Sequence, residues 1–184
     1  CLSSMNLAKY DEWKDTDAVE LATWFLDGVM QEFIDKSNGK DSLLRTHNHA
    51  KKGRALGLGV MGWHTFLQQK KLPFNSIAST AHTHNIFSDI RSKADKASMA
   101  LAQEYGEPLW CKGTGMRNTH LLAIAPTVSN SVIVGGISAG IEPLPANIYT
   151  FNGAKGTFIR KNKSLQALLK EKGEDKDKWW DQML

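Results

Sequence analysis

Two cysteines are the strongest nucleophiles of the chain, and their surroundings predict different reactivity. Cys1 opens the sequence, whereas Cys111 stands between Trp110 and Lys112. The thiolate is the reactive form of cysteine, and a neighbouring cation such as Lys112 lowers a thiol pKa. A lone cysteine in an apolar stretch is more often an inert, partly buried residue. We favour the inert interpretation for Cys111 and keep a reactive thiol as the alternative.

A polar run indicates a second kind of chemistry. Pro126–Ser131 reads Pro-Thr-Val-Ser-Asn-Ser and follows the apolar run His120–Ala125, which predicts a buried strand. Free backbone N–H groups at such a turn, with Ser and Thr hydroxyls beside them, form a cradle for an anion. Ligands of α/β folds bind at the carboxyl ends of strands. The alternative is a Ser/Thr helix cap without a ligand.

Three glycines have the spacing of a dinucleotide-binding fingerprint. Gly57, Gly59 and Gly62 match G-x-G-x-x-G. The fingerprint also needs an acidic residue about 20 positions further on, but position 82 is His and the nearest acid beyond it is Asp89. We therefore favour a strand-to-helix turn in which glycines permit close packing. A nicotinamide-dependent oxidoreductase is the alternative.

The histidine pairs His47/His49 and His82/His84 do not predict a metal centre. Alternate residues of a helix point in different directions, although on a strand they share one face. No neighbouring Cys or carboxylate completes a tetrahedral ligand set. We expect no bound metal.

Alternating strands and helices must position these residues, which predicts an α/β fold. The helix capped by Thr16 or Asp17 carries an apolar stripe that includes Leu21 and Phe25, and this stripe is expected to be core. The predicted strands are 1–7 and 148–151, with a glycine-rich apolar segment at 54–63 and the apolar run before Pro126. The other predicted helices are 65–70, 77–105, 132–134 and 164–172.

Composition excludes several classes of protein. The chain has 184 residues, 41% of them apolar, which is incompatible with wholesale disorder. No uncharged apolar run reaches the length of about 18 residues that a membrane helix needs. The net charge is +4, and the segment 160–178 holds seven basic and four acidic residues. Mixed signs indicate a solvated helix face rather than a nucleic-acid surface. We expect one partial domain over 1–184 with a charged helical tail over 160–184, in the cytoplasm.

Three segments, in this order, carry a family resemblance. Cys1–Leu7 is similar to a Cys-x-Leu-x-x-x-Asn-Leu strand, although Leu follows Cys directly here, and Arg54–Gly62 is similar to an Arg-Ala-(Leu/Ile)-Gly-(Val/Leu)-Gly strand. Leu121–Thr150 contains Ala-Pro-Thr-Val-Ser-Asn-Ser, Gly-Ile-Glu-Pro and Asn-Ile-Tyr. Together they resemble the large, catalytic subunit of ribonucleoside-diphosphate reductase. The resemblance implies a ten-stranded α/β barrel, of which this chain is part of the second half.

The resemblance also implies a reaction and its residues. A thiyl radical takes the 3′ hydrogen of a ribonucleoside diphosphate, the 2′ hydroxyl leaves as water, and a cysteine pair supplies two electrons. Cys1 aligns with one cysteine of that redox-active pair. Val128 stands where the family often has Glu. The residues that align with the loop holding the substrate phosphates are Pro126, Thr127, Val128, Ser129, Asn130 and Ser131.

Partners follow from the same resemblance. The chain itself is expected to bind no cofactor, since a small subunit supplies the radical in the common aerobic class and adenosylcobalamin does so in related enzymes. Thioredoxin or glutaredoxin is the reductant, and the complete subunit is a homodimer. The other functional cysteines and the radical-relay tyrosines are expected outside this segment, so we expect it to be inactive alone. A start at Cys1 fits truncation, a split gene or an intein junction, and a non-catalytic phosphate- or nucleotide-binding module is the competing function.

Overall fold

The computed structural model describes residues 1–153 and 156–183. Residues 154, 155 and 184, which the expected domain and tail ranges include, lie outside the described residues. The strands are β1 (Leu2–Asn6), β2 (Gly57–Met61), β3 (Ile148–Gly153) and β4 (Gly156–Lys161). The helices are α1 (Tyr10–Trp13), α2 (Ala18–Ser37), α3 (Leu44–Gly53), α4 (Trp63–Gln69), α5 (Ile77–Tyr105), α6 (Val128–Ile133), α7 (Lys163–Glu171) and α8 (Asp177–Met183). None of the described helices combines the length and apolar character that crossing a bilayer requires.

The two long helices, α2 and α5, pack against each other, and local signals set their ends. The Ser76 hydroxyl accepts a hydrogen bond from Ser79 N at 3.1 Å and caps α5, which ends before Gly106 at a φ of +80°. Asp17 makes no capping bond at the start of α2, where Thr16 Oγ1 accepts from Ala18 N at 3.3 Å. Of the two residues considered for this cap, Thr16 therefore supplies it.

The apolar stripe of α2 is buried only in part. Leu26, Met30 and Ile34 lie in the core, but Leu21 and Phe25 are 59% and 69% exposed. The expectation that the whole stripe is core is wrong, because the stripe is wider than the face of α2 that α5 and the sheet cover. An exposed apolar strip therefore runs along the outer side of α2.

The sheet beside these helices is parallel. β1 pairs with β2 so that Leu2 lies opposite Gly57 and Asn6 opposite Met61. On the other side of β2, Leu122 forms a parallel bridge with Leu58. The run His120–Ala125 therefore joins the sheet as a third parallel segment. Leu56 N and Leu58 N each donate to a carbonyl of this run at 2.8 Å. It is not the buried continuous strand predicted, because its pairing is limited to this short stretch and Ile124 is 43% exposed.

The glycines of β2 permit this close packing. A Cβ atom on Gly59 would lie 2.1 Å from the Ala123 carbonyl oxygen, and one on Gly57 would lie 2.5 Å from Leu2 Cδ2. The close-packing interpretation is confirmed. Gly57 and Gly59 lie inside the strand, whereas a dinucleotide fingerprint places its glycines in the turn that follows a strand. The structural context that the fingerprint requires is therefore missing.

The remaining strands form an antiparallel hairpin. β3 pairs with β4, with Ile148 opposite Lys161. The predicted strand 148–151 is confirmed as the first part of β3, while β4 was not predicted. Asn162 ends the hairpin and caps α7, since its side chain accepts from Ser164 N at 3.1 Å and Leu165 N at 3.3 Å. The hairpin and α7 thus follow each other without an intervening loop.

A buried network of one ion pair and its hydrogen bonds joins residues that are distant in sequence. Arg54 Nε and Nη2 donate to the two Asp27 carboxylate oxygens at 2.9 and 2.8 Å. Asn118 Nδ2 donates to Asp27 Oδ1 at 2.8 Å and to the Arg54 carbonyl at 2.9 Å. Arg54 lies just after α3 with a φ of +48°. This network fixes α2, the end of α3 and the entry to the third parallel segment relative to one another.

Candidate functional site

The polar run Pro126–Ser131 lies beyond the carboxyl end of the third parallel segment. Thr127 has a left-handed φ of +51°, and α6 begins at the next residue. The short helix was predicted to begin at Val132, and this is wrong by four residues. The run is therefore mostly the first turn of a helix rather than a loop before it. Such a turn leaves its first N–H groups without intrahelical acceptors.

The Thr127 side chain does not cap α6. Its Oγ1 atom accepts a hydrogen bond from Gly140 N at 2.8 Å, on a different segment. Val128, Ser129 and Asn130 are exposed, whereas Ser131 is buried and its hydroxyl donates to the Val128 carbonyl at 2.9 Å. The Ser/Thr helix cap considered as the alternative for this run is therefore not formed by the side chain of Thr127, the residue at the cap position. The first-turn amides of α6 have no intrahelical acceptors, which is what an anion cradle requires.

A second helix begins beside α6, and its amides are already bonded. α4 follows β2 through Gly62, which has a φ of +83°. Thr65 N donates to Ser138 Oγ at 3.2 Å, and Trp63 N donates to the Gly140 carbonyl at 3.3 Å. Sequence reasoning missed Thr65 and Ser138, which lie 73 residues apart. The only local signal was a small hydroxyl residue within a glycine-rich stretch.

Cys1 lies at the opposite end of the sheet from this site. Its side chain is exposed, and its carbonyl accepts from Gly57 N at 2.9 Å. Five residue steps separate Cys1 from Asn6 at the carboxyl end of β1, a distance of roughly 16 Å at the usual rise of a strand. The structure places Cys1 and Pro126–Ser131 on one sheet but does not bring them into contact.

Cys111 is buried, with 3% of its surface exposed. Burial, with a smaller contribution from Glu107, raises the pKa of its thiol. The Glu107 carboxylate itself accepts from Gly113 N at 2.6 Å and from Gly115 N. Lys112 does not lower this pKa. The raised pKa keeps Cys111 a protonated thiol at neutral pH, in agreement with the inert interpretation.

The histidine pairs lie on helices and have structural partners. His47 Nδ1 lies 3.0 Å from Ser37 Oγ, and the rings of His49 and His82 meet Trp110 and Phe66 edge-on at 5.0 and 5.4 Å. Across residues 1–153 and 156–183, no three Cys, His, Asp or Glu side chains are grouped to hold a metal ion.

Comparison with known proteins identifies the family. The family model described as "Ribonucleotide reductase, barrel domain" matches residues 1–111 and 109–183, which include Cys1 and Pro126–Ser131. The chain belongs to the ribonucleotide reductase family. The expected fold class is confirmed, since the α/β elements are part of this family's barrel domain. The described strands do not by themselves close a barrel.

Relatives of two kinds share this ribonucleotide reductase domain. The chain is 39% identical over 173 residues to the "Ribonucleoside-diphosphate reductase large subunit" of Invertebrate iridescent virus 6, covering 94% of the chain and 18% of the relative. It is 34% identical over 153 residues to the "Vitamin B12-dependent ribonucleoside-diphosphate reductase" of Thermoplasma acidophilum, covering 78% of the chain and 20% of the relative. Cofactor use therefore differs among relatives of this chain.

A solved structure extends the match to three dimensions. The alpha subunit of the Actinobacillus ureae class Id ribonucleotide reductase is similar with a TM-score of 0.91 and 47% identity, covering 99% of the chain. The match covers 33% of that subunit. The ribonucleotide reductase segment described here thus spans a third or less of the length of the proteins it matches.

Proposed function

We propose that this chain forms part of the catalytic large subunit of a ribonucleotide reductase. The subunit reduces ribonucleoside diphosphates to 2′-deoxyribonucleoside diphosphates, the precursors of DNA. The single observation that carries this proposal is the similarity to a class Id alpha subunit, at 47% identity over 99% of the chain. Identity of this size along the whole chain supports a shared reaction as well as a shared fold.

The first turn of α6 binds the substrate diphosphate. Its first N–H groups, which lack intrahelical acceptors and lie at the positive end of the helix dipole, donate to phosphate oxygens. Val128 adds no charge there, so the exchange of Glu for Val removes a side-chain contact but keeps every backbone donor. Ser129 and Asn130 are exposed beside these amides and contribute polar side chains to the same anion.

Cys1 supplies one of the two thiols that reduce the substrate. When the 2′ hydroxyl leaves as water, the two thiols lose two electrons and form a disulfide. The second thiol comes from a part of the subunit beyond this segment, because Cys111 is buried and its raised pKa disfavours the thiolate. The cysteine whose thiyl radical takes the 3′ hydrogen is also outside this segment.

The radical comes from a partner subunit rather than from adenosylcobalamin. The identity to the class Id subunit, 47%, exceeds the 34% identity to the vitamin B12-dependent relative, which supports this choice. Thioredoxin or glutaredoxin reduces the disulfide after each turnover, and the complete subunit forms a homodimer. A disulfide that must be reduced in every cycle suits the reducing cytoplasm.

A chimaeric subunit tests the proposal. Residues 1–184 replace the matching third of the Actinobacillus ureae alpha subunit, and deoxyribonucleoside diphosphate formation is measured with that enzyme's radical-supplying partner. We expect turnover within about tenfold of the parent, since the two folds superpose closely. A folded chimaera that binds ribonucleoside diphosphate without turnover would instead support the competing phosphate-binding module.

A further inference from the structure

Two buried hydroxyl groups fasten the strand-to-helix turn after β2 to the segment that follows α6. Ser138 N donates to Thr65 Oγ1 at 2.9 Å, and Thr65 N donates to Ser138 Oγ at 3.2 Å. Ser138 is 0% exposed and Thr65 is 8% exposed. Each residue thus acts as donor and acceptor to the other, and we call this pair of bonds the Thr65–Ser138 clasp.

The clasp and two neighbouring hydrogen bonds involve the backbone amides at the start of α4. Gly62 N donates to the Ser138 carbonyl at 2.9 Å, and Trp63 N donates to the Gly140 carbonyl at 3.3 Å. Together with Thr65 N, these bonds consume amides that the first turn of α4 would otherwise present to a ligand. Both α4 and α6 start at the carboxyl edge of the parallel sheet, and the segment 138–140 accepts hydrogen bonds from the amides at the start of α4. The anion site is thereby restricted to α6.

The same segment continues to the start of α6. Gly140 N donates to Thr127 Oγ1 at 2.8 Å. Thr127 is β-branched and has a φ of +51°, a conformation that such residues rarely adopt and that needs support from the surrounding structure. The bond to Gly140 is such a support. Hydrogen bonds at Ser138 and at Gly140 therefore link Thr65 and Thr127 through the short backbone segment 138–140.

We propose that Thr65 and Ser138 are positioning residues for the phosphate site, and this inference rests on the proposed function of α6. The clasp sets the place of Gly140, Gly140 holds Thr127 in its left-handed conformation, and Thr127 sets the direction of the first-turn amides. Loss of the clasp lets Thr127 relax to a negative φ, which turns those amides away from the substrate phosphates. Neither residue touches the substrate.

Substitutions in the chimaeric subunit test this role. Thr65→Val and Ser138→Ala are each expected to raise the KM for ribonucleoside diphosphate about tenfold, with kcat within about twofold of the unsubstituted chimaera. The inhibition constant of inorganic pyrophosphate, a probe of the phosphate site alone, should rise by a similar factor. Thr65→Ser, which keeps the hydroxyl, should restore both values.

A matched control separates positioning from general loss of a buried hydroxyl. Thr23 is also buried, and its hydroxyl donates only to the Val19 carbonyl of its own helix at 2.9 Å. Thr23→Val should leave KM and the pyrophosphate constant unchanged. If Thr65→Val does not fold, Thr127→Val removes the acceptor of Gly140 near the surface and should raise the same two constants.

The outcomes are distinct. Folded Thr65→Val or Thr127→Val variants with unchanged KM and pyrophosphate inhibition overturn the positioning role. Equal changes in Thr23→Val and Thr65→Val also overturn it, since any lost hydroxyl would then have the same effect. A chimaera that is inactive before any substitution contradicts the proposed function instead.

Discussion

Cys1 and Cys111 differ in exposure, and that difference supports the proposal that Cys1 is the redox-active cysteine. Cys1 is open to solvent at the start of the parallel sheet, whereas burial raises the pKa of the Cys111 thiol. A thiol that must exchange with an external reductant needs access and an available thiolate. Of the two cysteines, Cys1 alone is accessible to such a reductant in the part of the chain that the structure describes.

Replacement of Cys1 tests this assignment. In the chimaeric subunit, Cys1→Ser should reduce thioredoxin-dependent turnover by at least about 100-fold, because the two-electron step loses one of its thiols. The Kd for ribonucleoside diphosphate should stay within about twofold, since groups more than about 10 Å apart act independently.

Cys111→Ser is the matched control for this experiment. The same substitution at a buried thiol should leave turnover unchanged and lower only stability. Thioredoxin-dependent turnover that survives Cys1→Ser would mean that Cys1 is not one of the reducing cysteines.

A buried ion pair holds α2 to the residue that follows α3, and neither helix predicts it by itself. Asp27 of α2 holds Arg54, and Arg117 Nε lies 3.6 Å from the same carboxylate. Burial lowers the pKa of Arg117, with Arg54 contributing in the same direction. Two guanidinium groups therefore share a single buried carboxylate, and Asn118 completes its hydrogen bonding.

Removal of that carboxylate should destabilise the fold strongly. Asp27→Ala leaves Arg54 buried without its counter-ion, and the free energy of unfolding should fall by about 3–5 kcal/mol. Urea denaturation of the chimaeric subunit measures the change.

The control lies on the same helix. Glu32 forms an exposed ion pair with Lys36 at 2.7 Å, so Glu32→Ala should cost less than about 0.5 kcal/mol. An Asp27→Ala variant as stable as Glu32→Ala would show that the buried network contributes little.

At the scale of the whole molecule, we propose that this segment provides a phosphate site and one reducing thiol. The phosphate site and Cys1 lie at different ends of the parallel sheet. Other parts of the barrel must therefore also contribute to the reaction of a substrate bound at α6. The outer face of α2, with Leu21 and Phe25 exposed, is a further surface that the described residues do not cover.

The 184-residue chain alone should therefore not convert ribonucleoside diphosphates to deoxyribonucleoside diphosphates. Its second cysteine is buried, so Cys1 has no thiol partner within the chain with which to form the reducing pair. We expect no deoxyribonucleotide from the isolated chain under conditions in which the chimaeric subunit is active, with product measured by chromatography. Turnover by the isolated chain would contradict the placement of the second thiol outside it.

The order of the main elements could be predicted from the sequence, because their signals are local. The 3–4 spacing of Ile86, Ile90 and Ala94 predicts α5, and Gly106 and Pro108 predict its end. The glycine spacing of β2 and the polar run after Ala125 are likewise visible in the chain. The same short segments carry the resemblance that predicted the family.

The start of α6 and the partners of Asp27 could not be predicted, because both depend on residues distant in sequence. Val-Ser-Asn-Ser has a low intrinsic preference for helix, and α6 begins there after a left-handed Thr127 whose Oγ1 accepts a hydrogen bond from Gly140 N, 13 residues later. Asp27 meets Arg54 and Asn118 across 27 and 91 residues. The sequence by itself thus determined which residues are the candidates for phosphate binding and for oxidation. The tertiary structure decided which helix start keeps amides available for an anion. The first-turn amides of α4 donate to the later segment 138–140, whereas those of α6 do not.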